Sequence, residues 1–238
     1  MNTAYNLTPD AIVYFTIGPF QITATILFTW VVMAILVLFS IIATTRLKKG
    51  PDISRWQALL DSVVSIIRKE VGFILHKESE IYLPFLGSLF LFISVANFLD
   101  FIPGYSAPTA SLYTTGGLAL IVFFAVPFFG IRSRGVLGYL KEYIRPNPFM
   151  LPFNILSEFS RTLSMAIRLF GNVMSGSLLV AILLSVTPLF VPVIMQALGL
   201  LIGQIQAYIF VILTAVYLGS AVRVHDTTIN RNEKGETT

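Results

Sequence analysis

Apolar residues dominate five long stretches of this chain, and two shorter stretches between them show an amphipathic helical period. The first apolar run covers about Ile22 to Thr45 and stops at Arg46-Leu47-Lys48-Lys49-Gly50-Pro51. Residues 52–77 then place Trp56, Leu59, Leu60, Val63, Ile67, Val71 and Ile74 at helical spacing, with Asp61, Arg68, Lys69 and Glu70 among them. That pattern predicts an amphipathic helix lying on a membrane or against a partner. A second run follows from about Ile81 to Ile102, then an uncharged loop at 103–114, then a third run from about Gly116 to Ile131. Pro127 is expected to kink the third. A short amphipathic piece, RSRGVLGYLKEYIRPNP, leads into two longer runs, Phe153–Val186 and Leu189–Val222. At ~1.5 Å per residue each reaches roughly 50 Å, against a hydrocarbon core of ~30 Å, so both are expected to tilt.

Composition supports a membrane setting. Of 238 residues 55% are hydrophobic and 12% charged, more apolar surface than a water-soluble domain hides. Unbroken runs with 20 Phe argue for helices over the alternating strands of a barrel. The expectation is one all-α integral membrane domain over 1–238. It comprises a lead at 1–21 broken by Pro9 and Gly18-Pro19, a helical region at 22–222, and a polar tail at 223–238.

Charge sets the expected orientation. Arg46, Lys48, Lys49, Arg55, Arg68, Lys69 and Lys77 follow the first run; Arg132, Arg134, Lys141 and Arg145 follow the third. Arg223, Arg231 and Lys234 follow the fifth. Five crossings place these segments on one side, cytoplasmic by the positive-inside rule, and leave the lead and the 103–114 loop outside. Basic residues spread among membrane flanks do not make a nucleic-acid surface. With no cysteine, and with His76 and His225 outside the runs, neither a metal site nor a cofactor is expected. Paired aspartates or a Ser/His pair for hydrolysis are also missing from the runs.

Two of the sixteen basic residues remain, Arg161 and Arg168, both inside the fourth run. A charge at mid-membrane costs at least ~3 kcal/mol and marks a partner, a cavity or an ion path. Steps of three and four place Glu158, Arg161, Met165, Arg168, Asn172 and Ser175 on one stripe. Glu158 lies one turn from Arg161, which also suits a purely structural pair. No acidic residue within helical reach matches Arg168. In the fifth run Gln196, Gly199, Gly203 and Gln206 form a narrow stripe of amides and glycines, and Gln206 equally suits an interhelical hydrogen bond. Asn97 and Asp100 sit one turn apart near the end of the second run, where a carboxyl suits an aqueous mouth or a wet helix end.

These residues carry a resemblance. Glu158-x-Ser160-Arg161 followed by Arg168-Leu169-Phe170-Gly171-Asn172 resembles the signature of subunit a of F-type ATP synthases. Gln206-Ala207-Tyr208-Ile209-Phe210-Val211-Ile212-Leu213-Thr214 and Asn97-x-x-Asp100-x-x-Pro103 are similar to two further motifs of that family. The resemblance implies a non-catalytic membrane stator beside a rotating c-ring, with peripheral-stalk b subunits as further partners, in a bacterial-type inner membrane. It implies two half-channels that pass protons, or sodium ions, to and from ring carboxylates. Arg168, Asn172 and Gln206 then serve ion translocation, supported by Glu158, Arg161, Asn97, Asp100, Ser175 and Gln196. Leu7-Thr8-Pro9-Asp10, the segment 24–30 and Ile53-Ser54-Arg55-Trp56-Gln57 are similar to a divergent, sodium-associated branch. Ser177 and Gly199 depart from the family, standing where many members carry ionisable groups. The alternative is a free-standing secondary transporter, which needs its own counter-charge for Arg168 and usually repeated halves; neither is present in the sequence.

Overall fold

The computed structural model describes residues 10, 13–17, 20–45, 55–75, 79–102, 104–144, 149–186 and 190–222. The breakers Pro9, Gly18-Pro19 and Pro103, the basic stop at 46–51 and the 223–238 tail lie outside the described residues.

Within the expected lead, Val13–Ile17 (β1) and Phe20–Thr23 (β2) pair antiparallel, with Ile17 opposite Phe20 and an irregularity between Val13 and Phe15. The hairpin feeds directly into α1, Ala24–Thr45. Helices α2 (Arg55–Leu75) and α3 (Ser79–Leu99) follow. A 3₁₀ turn at Pro108–Ala110 then precedes α4, Leu112–Ile144. The chain closes with α5, Met150–Val186, and α6, Phe190–Val222. Five of these helices, all but α2, are long and apolar enough to cross a membrane. Apart from the hairpin, this is an all-α integral membrane fold, because only intrahelical bonding satisfies the backbone in lipid.

Two helical details differ from the sequence reading. The third run and the amphipathic piece after it are two helical stretches of α4 that meet at a kink at Gly135 (φ 76, ψ 162), a break the sequence reading did not name, while Pro127 lies inside the first stretch. Proline keeps a helix-compatible φ, whereas a positive φ is open chiefly to glycine. The bend brings Tyr139 back onto Gly130, where an added Cβ would meet the ring at 2.6 Å. The second run ends earlier than expected, at Leu99, and residues 100–102 form a turn.

α3 and α6 are the two largest contributors to the core. Leu86, Ile93, Phe210, Ala215 and Leu218 are buried there with Val71 of α2, Val122 of α4 and Leu169 of α5. Gly219 lets α2 approach closely: a Cβ there would lie 3.4 Å from Leu75. α5 is held differently. Its most apolar stretch of 18 residues is only 6% buried within the chain, although at 37 residues it is the longest helix among the described residues, about 55 Å. Phe159, Leu163, Ile167 and Leu179 are exposed along it. Such a surface is stable only against lipid or another protein.

Candidate functional site

Polar residues within the apolar helices are mostly satisfied locally. Thr162, Ser175, Ser177 and Thr214 each donate a hydroxyl to a backbone carbonyl three or four residues back. Residues that instead reach across helices mark the places where the packing is polar by design.

Asn97 is the first of these, 4% exposed on α3. Its Nδ2 donates to the Gly203 carbonyl of α6 at 2.9 Å, and its Oδ1 accepts from Thr109 Oγ1 at 2.9 Å. The fit explains the glycine: a Cβ at position 203 would stand 3.2 Å from Asn97. One amide thereby joins α3, α6 and the Pro108–Ala110 turn. Three residues on, the Asp100 carboxylate accepts the Ala107 backbone N–H. Burial raises the Asp100 pKa above the usual carboxylate value, and the hydrogen bond opposes that rise. Gln196 Nε2 donates to the Asp100 backbone carbonyl at 2.9 Å, tying α6 to the same corner.

Around that corner opens a cavity of about 350 Å³ between α3, α5 and α6. Asn97, Asp100, Asn172, Ser175 and Gln196 all line it, so five of the nine residues selected from sequence meet in one place. Ser177 and Gly199, the two departures from the family pattern, line it as well. So does Tyr105, whose buried hydroxyl has no hydrogen-bond partner among the described residues. Burial, and then the nearby Asp100 charge, push the Tyr105 pKa up.

Arg168 is not a wall of the cavity. It sits one turn before Asn172 on α5, exposed, while its neighbour Leu169 is fully buried. Among the described residues the ion pair is Arg68–Glu80, on the exposed faces of α2 and α3, and none involves Arg168. Arg161 is exposed too, its guanidinium 5.5 Å from the Tyr217 ring centroid of α6. Glu158 is half-buried. Gln206 is 7% exposed, buried in the packing and not on an open face.

Several polar partners escaped the sequence reading. Ser94 Oγ donates to Gln204 Oε1 at 2.5 Å, and Gln204 Nε2 donates to the Ser94 carbonyl at 3.0 Å. Tyr208 hydrogen-bonds Glu70 of α2. Both pairs border a second cavity of about 330 Å³ between α2, α3 and α6. A glutamine among leucines and a glutamate on an amphipathic helix were the available signals. No group of three or more His, Cys, Asp or Glu among the described residues is placed to hold a metal.

Comparison with known proteins adds a second line. The sequence model of the family described as "ATP synthase A chain" matches residues 26–219. The chain is 53% identical over 219 residues to ATP synthase subunit a 2 of Acaryochloris marina, covering 92% of this chain and 94% of that protein. It is 51% identical over 217 residues to ATP synthase subunit a of Albidiferax ferrireducens, covering 91% and 94%. Against ATP synthase subunit a 1 of Chlorobaculum parvum the identity is 49% over 221 residues, covering 93% and 98%.

Proposed function

Because the chain belongs to the ATP synthase subunit a family, we propose that it is the ion-conducting stator of a rotary ATP synthase, without catalytic residues of its own. The observation that carries this reading is the placement of Arg168. A permanent cation stands exposed on α5, one turn from Asn172 in the wall of the cavity, with no ion pair among the described residues. Arginine stays charged at any accessible pH, so it cannot relay a proton or be neutralised by burial. A carboxylate carried past α5 on a rotating ring supplies its counter-ion. The guanidinium favours the ionised form of that carboxylate, promotes ion release, and blocks a leak between the two access paths.

The cavity beside Asn97 and Asp100 serves as one access path. It opens at the end of the bundle marked by the Pro108–Ala110 turn, which the distribution of Lys and Arg assigns to the outside. Asn172 connects it to Arg168. Because Ser177 and Gly199 offer no titratable group, ions move there through water, amides and hydroxyls. The cytoplasmic path opens on the opposite side of Arg168, towards Arg161 and Glu158. The ring and the peripheral-stalk b subunits are the partners, in a bacterial-type inner membrane with the C-terminus inside.

Replacing Arg168 with Ala tests this. The expected result is an assembled complex that hydrolyses ATP without moving ions into vesicles. Normal ATP-driven pumping by that variant overturns the reading. Cysteine placed at Asn172 or Gly171 is expected to cross-link to a ring subunit, whereas buried Gln206 is a poor probe. Whether the ion is a proton or sodium is read from the sodium dependence of hydrolysis in the reconstituted complex.

A further inference from the structure

The short segment before β1 contributes one side chain with an unusual position. Asp10 accepts from Thr25 Oγ1 at 2.6 Å, and from Ser111 Oγ at 2.7 Å through Oδ2 and 2.9 Å through Oδ1. Both donors stand at helix starts. Thr25 is the second residue of α1. Ser111 immediately precedes α4, and its Oγ accepts the Tyr113 backbone N–H at 3.2 Å, an N-cap bond. A single carboxylate therefore lies between two helix N-termini, where both macrodipoles favour negative charge.

The group it holds stands behind the wall of the cavity, two residues from Thr109, whose partner Asn97 lines it. Ser111 and Thr109 are each 0% exposed and lie two residues apart in the buried turn. Thr109 holds Asn97, and Asn97 holds the Gly203 carbonyl. On the other flank Tyr105 lines the cavity while its ring meets Phe28 of α1 edge-on, with centroids 4.7 Å apart. The 105–111 loop is thus clamped from behind by Asp10 and α1, and presents its front to the ion path.

We propose that Asp10 is a positioning residue for ion access: by locking the starts of α1 and α4 it fixes the loop that holds Asn97 and shapes the outward-facing cavity. It touches no ion and acts through Ser111, Thr109 and Asn97 in turn. The inference rests on the half-channel reading, and its test separates the two.

The chain contains no cysteine, so a single one reports cleanly. Ala181→Cys lies on the cavity wall, and Ser220→Cys is exposed near the far end of α6. The intact complex is labelled with a membrane-impermeant maleimide, in right-side-out vesicles for the first cysteine and inverted vesicles for the second. Asp10→Ala is expected to change the Ala181→Cys labelling rate by about threefold or more, as weakening a charge-assisted hydrogen bond allows, and to slow ATP-driven pumping. Labelling of Ser220→Cys stays constant. Asp10→Asn, which keeps an acceptor oxygen, restores most of both. In a Thr109→Val background Asp10→Ala adds little, because the connection to Asn97 is already cut. Altered labelling with normal pumping confirms the clamp and removes the cavity from the ion path. Unchanged labelling in Asp10→Ala, or equal changes at both cysteines, overturns the proposal, and Ser111→Ala, which removes the donor of the same bond, supplies the readout if Asp10→Ala does not assemble.

Discussion

Removing the hydroxyl of Thr109 tests the polar joint at its centre. Thr109→Val keeps the shape and deletes one donor, leaving Asn97 Oδ1, on a residue only 4% exposed, without its 2.9 Å partner. Leaving a buried acceptor unpaired costs about 1–3 kcal/mol. Membrane proteins tend to the lower end, since interhelical hydrogen bonds in lipid average ~0.6 kcal/mol. Asn97→Ala costs more, about 2–4 kcal/mol, because it orphans the buried Thr109 hydroxyl, drops the bond to Gly203 and leaves a void. The double variant has no orphan on either side. Its loss is therefore expected to fall short of the sum of the singles by about 1 kcal/mol. The assay is unfolding of the purified chain by sodium dodecyl sulfate in mixed micelles, followed by emission of Trp30 and Trp56. Additivity within ~0.3 kcal/mol would show that the two side chains do not act as a unit.

Three other outcomes are expected. Gly203→Ala places a Cβ 3.2 Å from Asn97 and pushes that amide off its carbonyl; pumping should fall and recover partly in Gly203→Ala/Asn97→Ser, measured by the ATP-driven membrane potential of inverted vesicles. Asp100 has a raised pKa in the folded chain, so its contribution to stability is fully present below the ordinary carboxylate value and is lost as pH rises through the raised one. Asp100→Asn should remove that fall, which unfolding titrations at stepped pH will detect. Gly135→Ala forces an L-residue to φ 76, ψ 162, a region essentially reserved for glycine, and should cost about 1–3 kcal/mol, seen as faster proteolysis between residues 136 and 144.

Long uninterrupted apolar runs have one solution in lipid, which is why the five crossing helices were legible in the sequence. The hairpin was not, because Pro9, Gly18 and Pro19 punctuate a segment too short to show period-two alternation. The break at Gly135 went unnamed, because a glycine in an amphipathic stretch gives no sign that its backbone takes a positive φ. Motifs found Asn97, Asp100 and Asn172, helical stripes found Ser175 and Gln196, and the helices bring them together. Their supports stayed hidden. Thr109 and Ser111 are neutral hydroxyls in a loop without charge, and nothing periodic sets them apart. Gln206 shares a stripe with cavity-lining residues yet is buried, because it lies in the half of α6 whose Gly203, Ala207, Phe210 and Val211 pack into the core.

The uncovered surface of α5 bears on how such a chain is made in the cell. Released alone from the insertion machinery, it would expose a stranded cation to lipid, a penalty of ~3 kcal/mol or more until a neighbour arrives. An orphaned copy is thus an unfinished molecule and a natural substrate for membrane proteases. Its synthesis has to keep pace with whatever closes over that helix.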